Sequence, residues 1–171
     1  QDSMKYIQKR KFCSVYFGGG TPSLVSSKII KKIINNLKDR DLLKEECEIS
    51  FELNPKEVTH SYMNEIIDAG VNRVSIGTQS FDQRVLDSLE RNHSANESHQ
   101  AIKIASEFKN VNISIDLIYG IMNQSIDSLK QDVEIFCKNK IDHLSLYQLT
   151  IEPNTIFYKK ELNIPSDKTI E

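Results

Sequence analysis

Five strand-like runs of this chain share one pattern. Val15/Phe17, Ile49/Phe51, Val74/Ile76, Ile113/Ile115 and Leu144/Leu146 form one apolar set. Ser14/Tyr16, Ser50/Glu52, Ser75/Gly77, Ser114/Asp116 and Ser145/Tyr147 alternate with it. Every run thus carries a serine on its non-apolar face. Helix-like runs separate the strands, which argues for βα units and a parallel sheet. A doubly wound sheet lies under helices on both faces, and its strands read as continuous apolar runs. In such a sheet each unpaired serine hydroxyl would cost about 1–3 kcal/mol. A barrel accommodates the pattern better, with helices on the apolar face and small polar residues lining a lumen. The expected fold is an incomplete (β/α) barrel; a single half-exposed sheet is the alternative.

In such a barrel the chemistry sits at the carboxyl ends of the strands. Those ends hold Gly18-Gly19-Gly20-Thr21, Glu52 with Asn54, Gln79, Asp116, and Gln148 with Thr150. The glycine turn closes an apolar run, and Pro22 and a helical pattern after Ser26 follow it. Glycines let a backbone approach a ligand closely, and strand, glycine turn and helix make a cradle for an anion or polar group. A tight structural turn has the same spelling. The turn is not a P-loop, since no Gly-Lys-Ser/Thr follows, and it lacks G-x-G-x-x-G spacing. Glu52 and Asp116 also admit a structural reading as buried carboxylates paired to Arg73 or Arg91.

The strands are expected at residues 14–17, 48–53, 73–77 (running to Gln79), 112–117 (ending at Gly120) and 143–147. The first helix would bury Ile29, Ile30, Ile33, Ile34 and Leu37, with its lysines on a solvated face. A second starts at Thr59, buries Met63, Ile66 and Ile67, and stops at Gly70. After a short helix with Val85, Leu86 and Leu89, Ser94 and Glu97 spell a capping box, with Ala101, Ile104, Ala105 and Phe108 buried. Ile126, Leu129, Val133 and Phe136 would form the buried stripe of the next helix.

At 171 residues and a net charge of −2, the chain has one domain's worth of residues and no basic field for nucleic acid. No apolar run of membrane-spanning length occurs, and no signal peptide is visible. Cys13, Cys47 and Cys137 form no C-x-x-C pair, which argues against a disulfide framework or zinc site. Cys13 and Cys137 are expected to be small buried residues, and the setting to be reducing and cytoplasmic. His60, His93, His99 and His143 do not cluster and read as structural. No complete catalytic constellation and no metal-ligand set is evident, so the reactive group must come from elsewhere. The chain starts without Met, and Met4 to Lys9 reads as the end of a helix. It is therefore expected to be part of a longer protein.

Five motifs carry a family resemblance. Tyr16 to Ser23, Phe51 to Pro55, Gly70 to Phe81 and Asp116 to Gly120 resemble the radical S-adenosylmethionine (SAM) proteins related to oxygen-independent coproporphyrinogen III oxidase. Tyr147 to Thr155, with Phe157, is more similar to the HemW branch of heme chaperones. The resemblance implies a radical SAM barrel whose first strand and cluster loop are missing here. The resemblance spans about residues 12–158; the partial barrel domain is expected at residues 1–157, with a polar tail at 158–171 leading to a missing C-terminal region. The resemblance further implies that Gly19, Gly20 and Thr21 hold the methionyl end of SAM, and that Glu52 accepts from ribose hydroxyls. Gln79, Arg91 and Asp116 match further SAM-contacting positions, Arg91 as partner for a carboxylate. The family's C-x-x-x-C-x-x-C motif is absent, so no cysteine here is assigned to the [4Fe-4S] cluster, and the chain alone is expected to be inactive. The implied function is a heme chaperone that binds heme or porphyrin and delivers heme to a respiratory protein. The alternative is the oxidase, which decarboxylates coproporphyrinogen propionates.

Overall fold

The computed structural model describes residues 10–122 and 124–159. Five strands, β1 (Phe12–Phe17), β2 (Leu43–Leu53), β3 (Arg73–Gln79), β4 (Asn112–Tyr119) and β5 (His143–Gln148), form one sheet. All neighbours are parallel, and the order in space is the order in sequence. Right-handed crossovers between sequential neighbours return the connecting helices to the same side of the sheet. The strands therefore curl into a half-barrel with helices outside and the serine face inside. A doubly wound sheet would need a reversal of strand order, and none exists among these strands.

The outer face is the core. Ile49, Phe51, Val74, Ile76, Ile113 and Ile115 are all at most 3 % exposed. They pack against α1 (Ser27–Asp39), α2 (His60–Asp68) and α4 (Ala95–Ala105) through Ile30, Ile34, Met63, Ile66, Ala101 and Ala105. Burying each large side chain contributes about 1.5–3 kcal/mol. The caps follow the sequence signals: Thr59 accepts from Tyr62 N–H, and Ser94 with Glu97 closes a capping box.

The serines are not level as the alternation suggested. Ser50 lies beside Tyr16, Ser75 beside Glu52 and Ser145 beside Asp116; Ser75 and Ser114 alone are level. A two-residue step between neighbours is the stagger that tilts strands around a barrel. The lining is also partly closed, with Ser50 and Ser114 at 5 % and 1 % exposure.

Several expectations are corrected. β2 begins at Leu43 rather than Glu48, because Leu43 pairs with Phe12 across an irregularity in the ladder. On α1, Ile30 and Ile34 are buried, but Ile29 and Ile33 are 51 % and 42 % exposed. On α5 (Ile126–Lys138) the buried residues are Ser128 and Asp132, while Ile126 is exposed. Cys13 and Cys137 are exposed and Cys47 is the buried cysteine. The stretch Met4 to Lys9 and the residues 160–171 lie outside the described residues. Two further helices are described, α3 (Gln83–Ser88) in the β3–α4 connection and the single turn α6 (Ile156–Lys159). Among the described residues no helix is long and apolar enough to cross a membrane.

Candidate functional site

The carboxyl ends of β1 to β4 surround a cleft of about 210 Å³. Gly20, Glu52, Gln79, Arg91 and Asp116 line it, joined by Asn54, Ser75 and Gly77. Gly19 reaches the site through its N–H, which donates to Glu52 Oε2 at 2.9 Å. Thr21 stands at the start of a single 3₁₀ turn, Pro22–Leu24, at the rim. Gly19 and Gly20 have φ of 81° and 57°, the left-handed region where a side chain would be strained.

Two carboxylates and one guanidinium set the electrostatics. Glu52 takes the Tyr16 hydroxyl on Oε1 and the Gly19 N–H on Oε2. The Tyr16 phenol is pushed up in pKa, first by burial and then by that hydrogen bond, and so stays a donor. Gly18 makes the arrangement possible: a Cβ there would meet the Tyr16 ring and lie 2.9 Å from Glu52 Oε2. Asp116 accepts from Ser75 Oγ at 3.2 and 3.3 Å. Burial raises its pKa most and the Glu52 charge adds to the rise, against the lowering effect of the Ser145 and Ser75 hydroxyls.

Neither carboxylate has the arginine partner that the structural reading supposed. Arg73 pairs with Glu48 at 3.6 Å, at the far end of β2 and β3. Arg91 Nη2 donates to Asn54 Oδ1 at 3.5 Å, and its Nε is buried without a partner. Burial pulls the guanidinium pKa down, yet arginine keeps its charge in proteins. A desolvated cation with an unused donor at a cleft wall is poised for an anionic group.

Gly77 leaves the floor open. A Cβ there would come within 3.1 Å of Gln79 Nε2 and 3.7 Å of Arg91 Nη2. Gln79 itself has φ of 67°, a conformation that costs about 1–3 kcal/mol and is held by surrounding structure. Tyr16, Ser75 and Gly77 share the lumen face of the alternation but are not among the site residues expected from the sequence. Their signal was the same alternation that marked Glu52 and Asp116.

The family model "Radical SAM superfamily" matches residues 2–152, nearly the whole chain. The chain belongs to the radical SAM superfamily. Its relatives include proteins named heme chaperone HemW from Buchnera aphidicola, 36 % identical over 98 % of this chain, and from Escherichia coli, 36 % identical over 99 %. This chain spans 44 % and 45 % of those proteins, less than half their length. Among solved structures, the Escherichia coli coproporphyrinogen III oxidase HemN, a radical SAM enzyme, matches 92 % of this chain and 37 % of its own with a TM-score of 0.78. At 24 % identity that likeness concerns the fold, a radical SAM half-barrel. Radical SAM proteins as a family use SAM and an iron–sulfur cluster. Among the described residues no group of three or more His, Cys, Asp or Glu side chains could hold a metal ion. Cys13, Cys47 and Cys137 are too far apart in sequence to form the family's C-x-x-x-C-x-x-C motif.

Proposed function

We propose that the cleft holds SAM and that the chain is the SAM-holding half of a HemW-like heme chaperone. The single observation that carries the ligand reading is the charge arrangement. SAM presents an ammonium and a sulfonium beside a carboxylate. Glu52 and Asp116 face the cleft with Arg91 as its one lining cation. Charge-assisted pairs in such a site are worth about twice a neutral hydrogen bond. Gly19, Gly20 and Thr21 hold the methionyl end through their backbone, and Arg91 takes the carboxylate. Glu52 accepts from the ribose hydroxyls with the lone pairs that Tyr16 and Gly19 leave free, and Gln79 and Asp116 complete the contacts. When bound, SAM supplies a sulfonium that accepts an electron and breaks a carbon–sulfur bond. The residues here bind and orient that group and keep water from it.

The chaperone reading is supported by relatives at 36 % identity that carry that name. On this reading the whole protein binds heme or porphyrin and hands heme to a respiratory heme protein from the cytoplasm. The test uses the full-length protein, assayed both for stoichiometric heme binding and for coproporphyrinogen turnover. Heme binding without turnover is expected. Turnover of coproporphyrinogen would replace the chaperone reading with the oxidase one.

A further inference from the structure

Gln79 stands in the cleft wall with an uncommon backbone. Its φ is 67°, and the Ser80 N–H donates to Thr78 O at 2.9 Å. An i→i+2 hydrogen bond around a residue at positive φ is a γ-turn of the rare, strained kind. The ladder with β4 shifts at the same point, from Ile76↔Ile115 to Gln79↔Leu117. A strained turn persists only where its surroundings over-determine it, and two buried polar side chains outside the cleft lining do so.

Before the turn, His93 is 2 % exposed, and its Nε2 lies 3.0 Å from Thr78 O. A carbonyl oxygen only accepts, so Nε2 carries the proton. Beyond the turn, Asp132 of α5 is 1 % exposed. It accepts from Ser80 Oγ at 2.7 Å and from the Phe81 N–H at 2.8 Å. Ser80 Oγ in turn accepts from the Asp82 N–H at 3.0 Å. A carboxylate reaching the sheet from the fifth helix thus fixes the residues after Gln79, and an imidazole fixes the one before it. The Gln79 amide is left over Gly77, inside the cleft.

We propose that His93 and Asp132 are positioning residues that hold the γ-turn at Gln79 and thereby aim its amide at the ligand of the cleft. Neither touches the cleft. Their effect on binding passes through Gln79, and this inference rests on the SAM reading above.

The test is equilibrium binding of SAM to the full-length protein carrying Asp132→Asn or Ser80→Ala, each with and without Gln79→Ala. Asp132→Asn places an amide donor against the Phe81 N–H or the Ser80 hydroxyl. It is expected to weaken SAM binding about tenfold, and Ser80→Ala, which removes one limb of the clamp, about threefold. With Gln79→Ala already present, each added loss should fall below about twofold, since coupled residues are non-additive. A folded Asp132→Asn protein with wild-type affinity overturns the proposal, as does an equal loss in the Gln79→Ala background, which marks a merely structural role. Should Asp132→Asn fail to fold, Ser80→Ala decides by the same two criteria. Absence of SAM binding by the wild-type protein overturns the ligand reading itself, and this inference with it.

Discussion

Glu52 shows how much one side chain depends on its neighbours. Its two oxygens are held by the Tyr16 hydroxyl and the Gly19 N–H, and both contacts need the missing Cβ of Gly18. Gly18→Ala should therefore weaken ligand binding about tenfold, since an added methyl in a packed site forces neighbours aside. Isothermal titration of the full-length variant checks it; unchanged affinity would show that the tyrosine and carboxylate shift freely. Asp116 offers a second case, in pH. Burial raises its folded-state pKa above the ordinary value of 3.8. Between the two values the folded chain binds more protons than the unfolded one, so stability falls as pH rises through that window. Asp116→Asn removes the buried charge. It should make the protein more stable at neutral pH and flatten that part of its stability profile, while weakening binding of a cationic ligand. Denaturant melts at several pH values, read beside binding, test both halves.

At the scale of elements, the signals that were legible are those made by short-range chemistry. Thr59, Ser94 with Glu97 and the alternating strands appear as their residue types dictate. Ser94→Ala should cost about 1 kcal/mol of stability through loss of the capping box, measurable by urea unfolding. What stayed illegible needed tertiary context. Ser128 and Asp132 lie outside the expected apolar stripe of α5, yet both are buried because they bond Asp82, Ser80 and Phe81. Ile126 on the same helix read as core and is 64 % exposed. Leu43 to Cys47 carries charges that argue against a strand, and pairing with β1 overrides them. In the site, Gly20, Glu52, Gln79 and Asp116 could be read from strand ends. Arg91 lies beyond α3, so spacing alone could not place it, and only the family resemblance did.

For the whole molecule, the serine alternation is the observation from which the rest follows. Sequential parallel strands put the connecting helices on one side, and the serines then line the other, where the strand ends converge on one cleft. The fold is common to radical SAM proteins of differing chemistry, so the functional reading rests on the cleft rather than the barrel. On that reading Glu52, Asp116 and Arg91 together hold SAM. Equilibrium dialysis of labelled SAM against the full-length protein, wild type and Arg91→Met, tests this most directly. Saturable binding that weakens at least about tenfold in Arg91→Met is predicted. No saturable binding by the wild type, or equal affinity in both proteins, would contradict it.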